Sequence, residues 1–314
     1  MSAPDTPIVF DRAAVRKHRE RAATRSDGGG DFLHREVAGR LAERLDEVRR
    51  EFPHALELGC HRGALTGLLA GRAGVGTLVA ADLSSACVAR ARDGRDGVLG
   101  VAADEEALPF APGAFDLVVS NLALHWVNDL PGALIQIRRA LRPDGLLLAA
   151  LLGGETLSEL RDALMAAELE VEGGASPRVS PFADVRDAGA LLQRAGLALP
   201  VVDRDRIAVT YENALALMAD LRAMAESNAV AERGRHFTRR GTLMRAAALY
   251  RERFADAEGR IAASFDVIYL TAWAPAATQP RPLAPGSAKG SLAEALDTRE
   301  VDAGDPARPG PAKR

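Results

Sequence analysis

Three acidic residues follow three short apolar segments at similar intervals along the chain. Glu57, Asp82 and Asp104 each end or follow such a segment, and the length of one strand and one helix separates each from the next. Because the carboxyl ends of parallel strands meet at one edge of a sheet, we expect the three carboxylates to line one crevice. Carboxylates accept hydrogen bonds, so this crevice suits a ligand that carries amino and hydroxyl groups.

A glycine-containing turn follows the first of these segments. Gly59 and Gly63 stand between a strand predicted over 54–58 and a helix that begins near Ala64. Glycines here remove side chains where a ligand would press on the backbone, and the start of the helix would offer free N–H groups. A strand–turn–helix corner without a ligand is the alternative, because one Gly-x-x-x-Gly is a weak motif.

The ligand class follows from what the turn lacks. A dinucleotide site would carry Gly-x-Gly-x-x-Gly, and His61 occupies the place of the second glycine. A nucleoside without a pyrophosphate needs fewer N–H groups, but it needs acceptors for an amino group, two ribose hydroxyls and an adenine amine. The three acidic residues supply them in order, which resembles the class I S-adenosyl-L-methionine (SAM) methyltransferase pattern. We therefore expect SAM as the cofactor, with binding residues Glu57, Gly59, Gly63, Asp82, Leu83, Asp104, Glu105 and Asn121.

A polar and aromatic segment leaves the fourth predicted strand, at the edge where such a sheet places reacting atoms. It contains Asn121, His125 and Trp126. We predict that Asn121 binds the methionine part of the cofactor and that His125 and Trp126 surround the methyl-transfer position. The alternative is a capping asparagine followed by a packed His–Trp pair.

The histidines do not indicate a metal site. His18 and His34 each begin a His-x-Glu sequence, which resembles the opening of a non-haem iron site. Both sequences fall in segments predicted to be helical, where residues i and i+2 point in different directions. We therefore expect no metal ligand, and no Gly-x-Ser-x-Gly nucleophile motif is present.

Composition limits the classes of partner. The 314 residues carry 40 basic and 43 acidic side chains, a net charge of −3, so we expect no general attraction to nucleic acid. No apolar run is long enough for a membrane helix, although peripheral association with a membrane stays open. Two cysteines cannot form a disulfide framework, which is typical of a reducing compartment. We expect a cytoplasmic protein.

Strands and helices alternate through most of the chain, which predicts a doubly wound parallel α/β sheet. The resemblance to the SAM methyltransferase pattern implies the class I methyltransferase, Rossmann-like form of this sheet. Seven strands are predicted, at 54–58, 77–81, 98–102, 115–120, 146–152, near 200–210 and at 265–273. Helices are predicted at 31–48, 64–72, 84–93, 131–141, 155–172, 184–195, 211–226 and 241–257.

The same pattern predicts the domain organisation. Residues 1–30 are predicted to form a flexible basic arm whose helical part has a solvated face, with contact to an acidic partner as the alternative. Residues 31–274 are predicted to form the SAM-binding domain. Within it, 211–257 is a helical insertion between the last two strands, the kind of lid that shapes a substrate pocket. Residues 275–314 are rich in Pro, Gly and Ala, which predicts a disordered tail.

Six segments recur in the same order in one family. They are Phe10–Arg12, 54–63, Leu124–Pro131, Gly153–Leu160, Glu172–Phe182 and Arg281–Ala288. On these segments the chain resembles the methyltransferase-fold assembly factor of respiratory complex I in its alphaproteobacterial form. A more distant resemblance is to the malonyl-carrier-protein O-methyltransferase of biotin synthesis, which has a similar Ser-Asn-Leu-Ala-Leu segment.

The resemblance implies a SAM-binding fold that acts on a protein. The mitochondrial relative is described as hydroxylating an arginine in an iron–sulfur subunit of complex I, so a complex I subunit is the first candidate substrate. Glu155, Glu159 and Glu172 are candidates for receiving an arginine, with solvated helix charges as the alternative. Two other hypotheses stay open: an O-methyltransferase acting on an acyl-carrier or small carboxylate substrate, and a non-catalytic assembly chaperone, which His61 in the turn favours.

Overall fold

The computed structural model describes residues 8–25, 30–182, 185–280, 287 and 290–299. Two compact units divide the chain, Met1–Ala276 and Ala277–Arg314. The first contains the sheet and every candidate site residue. The resembling segment over 281–288 lies outside the described residues, except for Ser287.

Strands and helices have the following bounds. The strands are β1 (Phe52–Leu58), β2 (Val75–Asp82), β3 (Leu99–Ala102), β4 (Phe115–Asn121), β5 (Leu141–Leu152), β6 (Ala198–Tyr211) and β7 (Ile261–Trp273). The helices of the first unit are α1 (Arg12–Ala23), α2 (Phe32–Asp46), α3 (Ala64–Leu69), α4 (Ser85–Arg92), α5 (Leu130–Ala140), α6 (Ser158–Glu172), α7 (Val185–Arg194), α8 (Ala214–Ala223) and α9 (Arg240–Phe254). None of the described helices is long and apolar enough to cross a membrane.

The seven strands form one sheet in the order β3-β2-β1-β4-β5-β7-β6. Neighbouring strands from β3 to β5 are parallel, and β7 runs antiparallel to both β5 and β6. The predicted α/β sheet is therefore confirmed, but the expectation of a parallel sheet is wrong for β7, which runs antiparallel to both of its neighbours. The alternation of strands and helices did not reveal that the last strand inserts between β5 and β6.

The connection from β6 to β7 leaves and re-enters the sheet at one edge. Because β6 runs parallel to β5, Tyr211 at its end lies at the carboxyl edge, and β7 begins there with its partner Ile261. Helices α8 and α9 lie within this connection, so the two predicted helices of 211–257 are present. The insertion therefore lies at the same edge as the carboxyl ends of β1 and β2.

Apolar residues pack against both faces of the sheet. One core cluster contains the buried faces of α2, α6, α8 and α9, and the other those of α5 and α7. Side chains alternate along β1, so Ala55 belongs to the first cluster and Leu56 and Leu58 to the second. Glu57 therefore projects from β1 on the side of α2.

The amino-terminal segment differs from the predicted flexible arm. Residues 12–23 form α1, whose N-cap Asp11 accepts a hydrogen bond from the Ala14 N–H. Val15, Arg19 and Ala22 recur at helical spacing and are buried. Contacts with the rest of the first unit therefore fix this helix. In the second unit a short helix, α10 (Leu292–Ala295), lies within the stretch predicted to be disordered.

Candidate cofactor site and substrate cavity

The predicted carboxylates lie at the carboxyl edge of the sheet. Glu57 is the next-to-last residue of β1, Asp82 is the last residue of the neighbouring parallel strand β2, and Glu105 follows β3. These three side chains are almost fully buried, whereas the side chain of Asp104 is 33% exposed. The strand ends therefore bring together the acidic residues that the sequence singled out.

Glu57 is held beneath the start of α3. Its Oε2 accepts a hydrogen bond of 2.6 Å from the Thr66 hydroxyl. Burial raises the pKa of the Glu57 carboxyl to about 8, and the hydrogen bond from Thr66 opposes this rise. Glu57 is therefore protonated over much of the neutral range unless a cation binds beside it.

Asp82 organises the turn after β1. Its Oδ2 accepts the His61 N–H at 3.0 Å, and its Oδ1 accepts the Ser84 N–H at 2.8 Å. Ser84 in turn caps α4 by accepting the Cys87 N–H. One buried carboxylate thus joins the turn after β1 to the turn after β2.

Two arginines of α1 contact the same carboxylates. The guanidinium of Arg19 lies 2.5 Å from Glu105 Oε1 and 3.4 Å from Asp82 Oδ1. The guanidinium of Arg12 lies 2.5 Å from Asp104 Oδ1 and also contacts Glu105. Arg19 is 1% exposed, so the expectation of a solvated basic helix is wrong for this face of α1.

Charge in this cluster is distributed unevenly. Burial acts to raise the pKa of the Glu105 carboxyl, but the charges of Arg19 and Arg12 outweigh burial and hold this pKa below its usual value. Burial raises the pKa of Asp82, and the more distant Arg19 only partly opposes this effect. Glu105 is therefore the carboxylate to which α1 is most strongly bound.

The side chains of the crevice suit SAM, but arginines of α1 contact two of the carboxylates that we expect to bind it. The acceptors expected for ribose and adenine are present, yet Arg19 contacts Asp82 and Arg12 contacts Asp104. Unpaired polar atoms in the described residues also face this region: Arg19 Nε and Nη2, His34 Nε2 and Asn121 Oδ1. The open space beside Arg19, His34 and His61 is only about 10 Å³.

The glycine turn is closed by packing. Gly59 has φ +77°, and a Cβ there would lie 2.1 Å from that of Ala123. Gly63 has φ +82°, and a Cβ there would lie 2.7 Å from the Cα of Ala91. Both positions need glycine for the fold itself.

His61 turns its ring away from Asp82. Its φ of +46° lies in the left-handed region, its Nε2 lies 3.2 Å from the Leu122 carbonyl oxygen, and its ring is 4.4 Å from that of His34. Burial lowers the pKa of both rings, that of His34 to about 4, so they pack as neutral groups.

The residues predicted around the methyl-transfer position separate into two groups. The Asn121 side chain donates to the His34 carbonyl oxygen at 2.9 Å, and it lies beside α2. His125 and Trp126 instead face the connection between α8 and α9. Leu83 packs with Phe10 and Trp126 beneath α1.

A buried glutamate that the sequence did not single out joins His125 and Trp126. The Glu226 carboxylate lies 3.2 Å from His125 Nε2 and accepts a long, 3.5 Å hydrogen bond from the Trp126 indole N–H. The Leu152 N–H points to His125 Nδ1 at 3.5 Å, which leaves Nε2 as the donor to Glu226. Burial acts to raise the pKa of the Glu226 carboxyl, but His125 outweighs burial and holds this pKa below its usual value.

Glu226 lines a cavity of about 360 Å³ at this edge of the sheet. The cavity lies between the end of β5, the start of α6 and the α8–α9 connection. Its apolar wall includes Trp126, Leu152, Leu160, Phe182, Met218, Leu221 and Phe265, and its polar wall includes Arg178, Arg222, Glu226, Ser227, Asn228, Arg233 and His236. A pocket of this size takes a side chain or a small molecule.

The three glutamates considered as receptors for an arginine do not line this cavity. Glu155 is exposed, Glu159 accepts from Ser264, and Glu172 accepts from Thr242. No local pattern singles out Glu226, because it lies in an irregular segment and meets His125 only through the fold. In the described residues no group of three or more His, Cys, Asp and Glu is placed to hold a metal ion.

Comparison with known proteins agrees with this architecture. Residues 56–149 match the model of a methyltransferase domain family. The chain is 42% identical to the mitochondrial arginine hydroxylase NDUFAF5 of Danio rerio over 287 residues, which is 91% of this chain and 89% of that protein. The chain belongs to the NDUFAF5 family.

The chain is also similar to malonyl-[acyl-carrier protein] O-methyltransferases. The chain is 39% identical to the malonyl-[acyl-carrier protein] O-methyltransferase of Laribacter hongkongensis (strain HLHK9), over 88% of this chain and 94% of that protein. Among solved structures, a candidate methyltransferase of Bacillus halodurans C-125 has a TM-score of 0.54 at 16% identity, and covers 77% of this chain and 100% of that chain. The solved structure supports the fold alone. The NDUFAF5-family chain is thus a methyltransferase-fold protein with relatives of two activities.

Proposed function

We propose that the chain is a SAM-dependent enzyme that modifies a protein side chain, with an arginine as the first candidate. The observation that carries this proposal is the ionised, buried carboxylate of Glu226 in the wall of the cavity. A guanidinium group pairs with a carboxylate better than with any other side chain, and the apolar wall suits the arginine stem. The name of the 42% identical relative, an arginine hydroxylase, supports the same substrate.

The cofactor would lie against the carboxyl ends of β1 to β3. Bound there, SAM supplies an activated methyl group on a sulfonium. Glu57 would hold its ammonium, Asp82 its ribose hydroxyls and Asp104 its adenine amine, with Gly59, Gly63, Leu83, Glu105 and Asn121 around them. Because Arg19 contacts Asp82, cofactor binding requires Arg19 to release that carboxylate.

The residues of this chain would act by binding and orientation. Glu226 holds the guanidinium, and its contacts with His125 and Trp126 fix the direction of its oxygens. Asn121, His125 and Trp126 are the residues we place nearest the reaction. The apolar wall excludes water from the reacting side chain.

A second candidate is O-methylation of a carboxylate on an acyl-carrier protein or small molecule. Arg222 favours it, because this arginine lines the cavity, is exposed, and its guanidinium makes no hydrogen bond or ion pair with the described residues. An unpaired guanidinium suits a carboxylate substrate as Glu226 suits an arginine. The 39% identical O-methyltransferase supports this alternative.

Calorimetric titration with SAM and S-adenosylhomocysteine tests the cofactor site. We expect the wild type to bind both, and Asp82→Ala to lose binding while it keeps the circular dichroism spectrum of the wild type. An absence of binding by the wild type would contradict the enzyme proposal and leave the assembly-chaperone hypothesis.

Mass spectrometry of candidate substrates separates the two reactions. Hydroxylation inserts one oxygen atom into a C–H bond of an arginine, so it needs dioxygen and a two-electron reductant from outside the chain, and the second oxygen atom leaves as water. O-methylation adds one methylene to a carboxylate, with the methyl group taken from SAM. A complex I iron–sulfur subunit and a malonylated acyl-carrier protein are the substrates to test first. The compartment we propose is the cytoplasm, consistent with two buried cysteines that form no disulfide.

A further inference from the structure

A basic segment with an exposed aromatic side chain lies at the mouth of the cavity. It comprises the end of the connection between α8 and α9 and the first residue of α9. Its residues, which we call the cationic rim, include Arg235, His236, Phe237, Arg239 and Arg240. Phe237 is fully exposed, and His236 and Thr238 line the cavity. The rim therefore adjoins the cavity that a side chain would enter.

The arginines of the rim make no ion pair in the described structure, although Arg235 lies close enough to Asp11 for their charges to interact. Arg235, Arg239 and Arg240 are exposed and make no side-chain hydrogen bond or ion pair with the described residues. Neighbouring Arg233, in contrast, is bound to Asp11 at 2.9 Å. The whole chain carries a net charge of −3, so this positive patch runs against its overall sign.

The size of the cavity requires a surface outside it. A space of about 360 Å³ admits one side chain, so the remainder of a protein substrate must lie against the mouth. Three free guanidinium groups attract a negatively charged partner, and an exposed phenylalanine gives that partner an apolar contact.

We propose that the cationic rim is the docking surface for an acidic face of the protein substrate, which lies there while one side chain enters the cavity. This inference rests on the proposed function and deepens it, because it names the partner's surface chemistry. A lipid surface fits less well, since the rim exposes one aromatic side chain and the chain as a whole is negative.

Binding of labelled peptides to the full chain tests the rim. The probes are fluorescein-labelled peptides with one central arginine, flanked by glutamates, serines or lysines, and the readout is fluorescence anisotropy with S-adenosylhomocysteine present. We expect the glutamate-flanked peptide to bind most tightly and its affinity to fall with added salt.

Two triple variants with equal charge change provide the comparison. Arg235→Glu, Arg239→Glu and Arg240→Glu together should weaken binding of the acidic peptide by about tenfold, because exposed ion pairs are individually weak and add up. The control carries Arg49→Glu, Arg139→Glu and Arg194→Glu, which are exposed and unpaired elsewhere in the described part of the chain. We expect the control to bind like the wild type.

Phe237→Ala separates the apolar contact from the charges. This variant should lower the affinity for the acidic peptide by about fivefold without changing the salt dependence of binding, because only apolar surface is lost.

Several outcomes would overturn the docking surface. They are equal binding of acidic and neutral peptides, an unaffected rim variant, and a rim variant that loses binding only to phosphatidylglycerol vesicles. Titration of the same variants with S-adenosylhomocysteine keeps the two proposals apart, because the side chains of Arg235, Arg239 and Arg240 make no hydrogen bond or ion pair with the expected cofactor residues in the described structure. If the wild type does not bind S-adenosylhomocysteine, this result contradicts the proposed function and does not contradict the docking surface.

Discussion

Replacing Arg19 by methionine tests how α1 is held over the crevice. Arg19 is 1% exposed, and its partners Asp82 and Glu105 have fully buried side chains. Removing one partner of a buried ion pair leaves an uncompensated charge and costs about 3–5 kcal/mol. Arg12 still contacts Glu105 in the variant, so Asp82 is the carboxylate that loses its only arginine contact in the described structure.

The loss should depend on pH. Burial raises the pKa of Asp82 in the folded protein, and without Arg19 it rises further. A carboxyl group with a raised folded pKa lowers stability as the pH climbs above its unfolded value. The deficit of Arg19→Met should therefore be largest at neutral pH and shrink as the pH falls toward 3.8, the ordinary aspartate pKa.

Urea unfolding followed by circular dichroism gives the measurement. Arg16→Met is the matched control on the same helix, because Arg16 is 58% exposed and pairs with the 45% exposed Glu20 at 3.6 Å. The control should cost less than about 0.5 kcal/mol. A loss below about 1 kcal/mol for Arg19→Met, or a deficit independent of pH, would refute the reasoning, because a buried pair cannot be broken so cheaply.

Two other substitutions test the site. Glu226→Gln keeps the shape of the side chain but removes its charge. This variant should bind an arginine-containing peptide about tenfold or more weakly, because hydrogen bonds to charged groups contribute about 1.5–3 kcal/mol. Unchanged peptide binding would exclude Glu226 as the receptor, and binding of S-adenosylhomocysteine is the internal control. Glu57→Gln should flatten the fall in stability between pH 4.5 and about 8, because the buried wild-type carboxyl is protonated in this range only when the protein is folded. Unfolding curves at several pH values check this, and an unchanged slope would show that Glu57 is not responsible.

The sequence by itself determined the local elements. Alternating apolar segments and amphipathic helices located the seven strands, and the acidic residues at the ends of β1 and β2 followed from the same pattern. Periodicity reports on neighbours along the chain, and parallel strands bring their carboxyl ends to one edge by rule. The crevice carboxylates Glu57, Asp82 and Asp104 were therefore predictable.

The tertiary structure decided which distant groups meet. Arg19 reaches Glu105 across 86 positions of the sequence, and Glu226 reaches His125 across 101 positions. Neither pairing leaves a periodic trace, because a buried charge is placed where closing the fold brings a partner, not by its sequence neighbours. The position of β7 between β5 and β6 also needs the whole sheet, since strand order is set by long-range packing. The local sequence pattern thus defined the crevice. Long-range packing of the fold placed α1 over this crevice and placed Glu226 in the wall of the cavity.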